Sequence, residues 1–298
     1  MELRSKSVLI TGVEGFTGIH LKSRLERAGM TVFGTTKSSC SDLNKFQMDI
    51  TDTGSIEKVF TQCEPDYIIH LAAISFVGHS DPSEFYRVNT VGTENLLKVI
   101  SSQKSVPKKI IVASSANVYG NAGGTTRISE SESPEPVNHY ACSKLAMEKI
   151  VTNFFEHLDI IITRPFNYTG PGQAEHFLVP KIVSHFLSSK EVIELGNLDV
   201  SRDYSSIDFI VSAYEALLAS SSKSDILNLC SGSSISLLEI IELTKSITNK
   251  DIEVKINPDF VRSNEVKCIV GDNRKLIAAV GDLKTNDIER ILMKMLGK

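Results

Sequence analysis

No stretch of this 298-residue chain approaches the ~18 to 20 apolar residues of a membrane span. The opening MELRSKSVLITG runs directly into strand-like sequence, with no apolar leader or small-residue cleavage site. Cysteine is sparse and scattered: Cys40, Cys63, Cys142, Cys230 and Cys268 are odd in number and include no CxxC pair. That argues against a disulfide framework or a zinc site and points to a reducing, cytoplasmic setting with no metal. A strong charge of one sign is missing too. A net charge of −4 and a pI near 6.0 provide no basic field for nucleic acid, so any phosphate must be held locally. Repeats and low-complexity tracts are absent beyond a serine cluster at Ser220–Ser224.

What is present is ordinary globular composition, 41% hydrophobic and 23% charged with a mean hydropathy of −0.02, in a chain long enough to bury a large core. The first half alternates β-branched runs with helical periodicity, the pattern of βαβ units on a parallel sheet. Strands are predicted at 7–11, 31–34, 45–49, 67–71, 109–114 and 160–164, and helices at 18–29, 53–63, 89–102 and 140–157. The strands are apolar on both faces, as in the centre of a covered sheet. From about Asn167 the rhythm breaks into polar loops and shorter elements. The expected architecture is α/β: a doubly wound parallel sheet over 1–165 and a smaller lobe over 166–298, with elements near 195–220 returning to the first sheet.

The segment Thr11–Gly18, TGVEGFTG, sets a GxxGxxG spacing directly after the first strand and at the opening of the first helix. Glycines there let the chain turn, let backbone N–H groups approach a pyrophosphate, and let the helix pack on the strand, while the helix N-terminus faces the anion. The expectation is a dinucleotide cradle of Gly12, Gly15, Phe16, Thr17 and Gly18, with Phe16 also suited to packing; a tight turn without a ligand is the alternative. NAD-binding versions place an acid at the end of the second strand. Here that position reads Gly34-Thr35-Thr36-Lys37, and Thr36 and Lys37 suit a 2′-phosphate, so NADP(H) is favoured and NAD(H) is the alternative. Asp49 and Ile50, after the third strand, suit an adenine, although Asp49 equally suits a turn cap.

Tyr140-Ala141-Cys142-Ser143-Lys144 opens a helical run, so Tyr140 and Lys144 share one face. A phenol at its ordinary pKa of ~10 is a poor base at neutral pH, and a neighbouring ammonium is expected to lower it. Upstream, the strand at 110–113 ends at Ser114-Ser115, the sheet edge where open α/β sheets bind ligands. There a serine hydroxyl can hold a substrate oxygen beside Tyr140. Of the other polar groups, His70 reads as a core histidine, Tyr119 as packing, His176 as a loop residue, and Asn89 as a residue that bends its helix, caps it or holds a water.

Together these motifs resemble the extended short-chain dehydrogenase/reductase family acting on nucleotide sugars. TGVEGFTG, HLAA at 70–73, SSANVYG at 114–120, YACSK at 140–144 and RPFNYTGPGQ at 164–173 carry the likeness, which extends through 196–214 to RSNEV at 262–266. It is most similar to the GDP-4-dehydro-6-deoxy-D-mannose reductases in the RPFN, GPGQ and DVSRDY stretches. The resemblance implies Ser115, Tyr140 and Lys144 as the catalytic residues, and it adds Leu71, Ala72, Ala73, Asn89, Tyr140, Lys144 and Arg164 to the cofactor site, with Lys144 on the nicotinamide ribose. On the substrate side it implies Ser115, Asn167, Val179, Arg202, Arg262 and Glu265, with both arginines on a diphosphate and Glu265 on the nucleotide ribose. It further implies a nucleotide-diphosphate sugar substrate, GDP favoured, bound mainly in the smaller lobe, and a homodimer built on helices 89–102 and 140–157.

Reductases, epimerases and dehydratases of this family share hydride transfer at a sugar carbon. Dehydratases also need a carboxylate beside the serine, and Ala116 and Asn117 stand there instead. The expectation is NADPH-dependent reduction of a C4 ketone on a 4-keto-6-deoxy sugar nucleotide. The alternatives are a 4-epimerase or 4,6-dehydratase with bound NAD, and a non-catalytic NADP-binding regulator.

Overall fold

The structure, a computed structural model, describes residues 3–120, 127–188, 190–261, 267–285 and 287–298. β1 (Ser7–Thr11) leads through the glycine loop to α1 (Phe16–Arg27), β2 (Thr31–Thr36), β3 (Lys45–Gln47), α2 (Thr53–Gln62) and β4 (Tyr67–His70). Next come α3 (Pro82–Phe85), a π-helical turn (Tyr86–Gly92) and α4 (Thr93–Ser101), then β5 (Lys109–Ala113), α5 (His139–Thr152) and β6 (Ile160–Pro165). The remainder runs β7 (Asn167–Thr169), α6 (Leu178–Leu187), β8 (Val192–Leu195), β9 (Ser201–Ser206), α7 (Ile207–Ala219) and β10 (Asp225–Leu229). It closes with β11 (Ser234–Ser236), α8 (Leu237–Thr248), β12 (Glu253–Ile256), β13 (Cys268–Ile269), α9 (Arg274–Val280) and α10 (Ile288–Leu296).

Seven strands form one parallel sheet in the order β10-β6-β5-β4-β1-β2-β3. The chain winds outward from β1 to β3, then crosses back to β4 on the other side of β1. A crevice opens at such a switch point, outside the C-terminal strand ends. Both faces are covered, which is why the central strands carry apolar residues on each face. Val8, Ile10, Ile69 and Ile111 pack with residues of α1 and α7 on one face. Leu9, Ile68, Ile110, Val112 and Ile162 pack with residues of α2, α4 and α5 on the other. Each such side chain stabilises the fold by roughly 1.5–3 kcal/mol.

The second lobe pairs β9 with β11, β13 and β7, pairs β12 with β8, and has its own core around Ile182, Phe186, Ile240 and Leu292. The return to the first sheet takes up part of the expected span 195–220 and runs past it. β8 and β9 stay in the lobe, whereas α7 covers the large sheet and β10 extends it beside β6. Leu276 of α9 packs into the same core. The periodicity of 205–220 is that of a helix covering the sheet, but the short strand that follows gives no local sign of where it pairs.

Candidate active site

Gly12 turns with φ +71°, and a Cβ there would lie 3.0 Å from the Ala72 backbone. A Cβ on Gly18 would lie 2.5 Å from the Gly12 carbonyl. The loop therefore packs α1 directly on β1 and β4 with no room for side chains. Gly15 caps α1 without any side-chain acceptor, which leaves first-turn N–H groups for an anion. This cradle fits a dinucleotide pyrophosphate. Leu71, Ala72 and Ala73 follow β4 against the loop, where Thr11 Oγ1 accepts from Leu71 N at 3.2 Å and Ala72 N at 3.1 Å. Phe16 stacks on Tyr168 with ring centroids 6.1 Å apart, and Thr17 Oγ1 meets the Tyr168 hydroxyl at 2.9 Å.

A buried polar chain runs from this loop to the catalytic helix. Because Thr11 Oγ1 already accepts twice, it donates to His70 Nδ1 at 2.6 Å. His70 Nε2 then donates to Thr93 Oγ1 at 2.9 Å, and Thr93 to the Asn89 carbonyl at 2.7 Å. Burial, with the Lys144 charge nearby, pushes His70 down to about 3, so it is neutral. Asn89 sits in the π turn; its Oδ1 accepts from Ile74 N at 2.8 Å and its Nδ2 donates to Ser143 Oγ at 3.1 Å. Ser143 in turn donates to the Tyr140 carbonyl at 2.7 Å. Asn89 is thus a brace between the β4 loop and α5, fully buried in a bent helix. Its polar side chain signalled that position, but only the fold reveals the partners.

α5 starts where Asn138 accepts from Ala141 N at 2.9 Å, which places Tyr140 in the first turn and Lys144 one turn on. Lys144 Nζ donates to the carbonyl of Ala113, the last residue of β5, at 2.7 Å. Ser115 follows β5 as the cap of a short 3-10 turn, is half-buried, and hydrogen-bonds the Tyr140 phenol. Ser114 points the other way and donates to Glu148 Oε1 at 2.5 Å inside the core. Geometry therefore brings Ser115, Tyr140 and Lys144 together. The expected lowering of the phenol is corrected: burial pushes Tyr140 up to about 12, outweighing the Ser115 hydrogen bond, and pushes Lys144 down to about 8. Tyr140 is held as a protonated phenol, the form of an acid.

Arg164 is a second correction. Its guanidinium pairs with Glu148 at 3.0 and 2.6 Å and donates to the Tyr119 hydroxyl at 3.0 Å, with 3% of the residue exposed. All of it is engaged within the core, so it does not line the cofactor crevice. Val179 is a third, because the whole residue is only 2% exposed among the apolar residues of the lobe. Asn167 is exposed on β7 and bonds the Tyr204 phenol. Arg202 on β9 donates to the Ser201 carbonyl at 2.8 Å. Arg262 and Glu265 lie outside the described residues.

At the far end of the crevice Thr36 is buried, Lys37 is exposed, and Ile50 packs in the sheet core. Asp49 takes the turn-cap role, accepting from Thr51 N at 2.9 Å and Thr51 Oγ1 at 2.7 Å. Glu14, overlooked in the sequence, reaches this end from the glycine loop. His176 packs edge-on to Phe76 at 4.8 Å. Among the described residues no group of three His, Cys, Asp or Glu could hold a metal ion, and no helix is long and apolar enough to cross a membrane.

The family described as GDP-mannose 4,6 dehydratase matches residues 9–295. The chain belongs to this family. Within the family it is 38% identical to a GDP-6-deoxy-D-talose 4-dehydrogenase of Aggregatibacter actinomycetemcomitans, over 97% of this chain and 96% of that one. It is 29% identical to a GDP-6-deoxy-D-mannose reductase of Pseudomonas aeruginosa, over 93% and 91% of the two chains. The structure of RMD from Pseudomonas aeruginosa complexed with NADPH superposes with a TM-score of 0.88 at 27% identity, covering 98% of each chain. Members of the GDP-mannose 4,6 dehydratase family and these relatives are NAD(P)-dependent nucleotide-sugar oxidoreductases of the extended short-chain type, and the chain is an enzyme of that kind.

Proposed function

We propose that the enzyme reduces the C4 ketone of a GDP-linked 4-keto-6-deoxyhexose, with NADPH as the cofactor. The observation that carries this reading is the protonated Tyr140 phenol beside the Ser115 hydroxyl at the C-terminal edge of β5. The cofactor, when bound, contributes the hydride that becomes the new C4 hydrogen. Tyr140 gives its proton to the ketone oxygen as that oxygen becomes an alkoxide, and Ser115 donates a hydrogen bond to the same atom. Lys144, anchored on Ala113 one turn along α5 from Tyr140, would hold the nicotinamide ribose and supply a positive charge that favours the developing phenolate.

The two relatives support the choice of carbon and nucleotide. Both are named for redox chemistry on a GDP-6-deoxyhexose, the dehydrogenase at C4, and talose and mannose differ only in configuration at C4. Ala116 and Asn117 in the 3-10 turn support simple reduction over elimination, which needs a further acid/base there. Asn167, Arg202 and the α6 N-terminus are the proposed substrate side, and the outer faces of α4 and α5 the proposed homodimer contact.

The test is oxidation of NADPH with a GDP-4-keto-6-deoxyhexose, with the product's C4 configuration read by NMR. Tyr140→Phe should lower turnover about 10²- to 10⁴-fold while cofactor binding and the circular dichroism spectrum persist. Unchanged turnover in that variant, or cofactor binding without turnover on any sugar nucleotide, would sink the proposal.

A further inference from the structure

The acid that β2 lacks arrives from the glycine loop. Glu14 stands between Gly12 and Gly15, and its carboxylate bridges the ends of two strands: Thr36 Oγ1 donates to Oε2 at 2.5 Å and Lys45 Nζ to Oε1 at 2.9 Å. Register explains the meeting, since Gly34 lies opposite Lys45 and Thr36 opposite Gln47, which brings the β3 lysine beside the end of β2. Thr36 and then Lys45 hold the carboxyl below the usual range, so Glu14 is an anion at neutral pH.

Thr36 and Lys45 are the kind of donors that a phosphate would use. The pair is also easily opened: the Glu14 side chain is 52% exposed and that of Lys45 25%, and an ion pair in that setting is screened and weak. Ribose hydroxyls have no need to open it. A 2′-phosphate, with close to two negative charges, must displace the carboxylate or face it unpaired.

We propose that Glu14 sets the cofactor preference by occupying the Thr36 hydroxyl and the Lys45 ammonium, so that it restrains a site otherwise suited to NADP(H). This rests on the reading of the glycine loop as the cofactor cradle. Glu14 acts as an intramolecular competitor for the 2′-phosphate, and the absence of an acid on β2 overstates the selectivity that follows.

The experiment is a pair of affinity ratios that need no sugar substrate: NADPH against NADH by fluorescence titration, and 2′,5′-ADP against 5′-ADP by calorimetry. Glu14→Gln, which keeps the shape and removes the charge, should tighten NADPH and 2′,5′-ADP about tenfold and leave NADH and 5′-ADP within about threefold. Lys45→Met should act in the opposite direction, weakening NADPH more than NADH. An unchanged NADPH-to-NADH ratio in Glu14→Gln, or equal changes in both affinities, overturns the proposal. Failure of the wild type to bind either dinucleotide, or unimpaired binding by Gly12→Val, would instead bring down the cradle reading itself.

Discussion

Tyr140 and Glu14 mark opposite ends of the crevice, and the polar groups around them differ in burial. At the Tyr140 end, Thr11, His70, Asn89, Thr93 and Ser143 are each 3% exposed or less and form one continuous chain of hydrogen bonds from the glycine loop to the start of α5. At the Glu14 end, the carboxylate, Lys45 and Lys37 all reach solvent. A buried network must be satisfied in a single arrangement, because an unpaired polar group there is costly. An exposed ion pair can exchange partners at little cost. Proton transfer needs the first property and choice between cofactors needs the second, so the two regions divide positional precision from adaptability.

The comparison is broken most severely at Glu148. Its carboxylate is 2% exposed and receives both Arg164 and Ser114, tying α5 to the ends of β5 and β6. Glu148→Ala should cost about 3–5 kcal/mol in urea unfolding, because it strands a buried guanidinium. The double variant Glu148→Leu with Arg164→Met should recover most of that loss. If the single variant costs no more than an exposed pair would, the buried end owes its order to apolar packing alone.

A smaller effect is expected at His70. Its folded pKa, about 3, lies below the ordinary value near 6.5, so the unfolded chain binds more protons between those limits. The stability that neutral His70 contributes is complete above pH 6.5 and is lost progressively as pH falls toward 3. The slope is about 1.4 kcal/mol per pH unit once the unfolded imidazole is protonated. His70→Leu should flatten the difference in unfolding free energy between pH 6.5 and 5, relative to the wild type. Parallel pH profiles for the two proteins would show that His70 does not carry this dependence.

These two sites also show what could be read in advance. The glycine loop, β4 and β5, and the pair Tyr140 and Lys144 were legible because their signals are local: a spacing, an apolar run, a shared helix face. The standing of His70 as a core histidine was legible for the same reason. Arg164 and Val179 were misplaced because a motif gives a residue's neighbourhood but not its side chain's direction, and both point into packed interiors. The return of β10 to the large sheet and the contact of Glu14 with Thr36, 22 residues on, depend on strand pairing that no local pattern states. A cue did exist for Glu14: an acid stood in the glycine loop of a chain that lacked one on β2.

The smallest expected effect sharpens the comparison furthest. Glu14→Gln and Lys45→Met each break the exposed pair and should change the unfolding free energy of the protein without cofactor by no more than about 1 kcal/mol, the range of such contacts. In excess NADPH, Glu14→Gln should unfold at higher urea than the wild type, because a ligand bound only to the folded state stabilises it by an amount that grows with affinity. In excess NADH the two proteins should unfold together. A larger change without cofactor would place Glu14 among the groups that hold the fold, as Glu148 does. A change confined to NADPH would assign it to the choice of ligand, separating the two ends of the crevice by function as well as by burial.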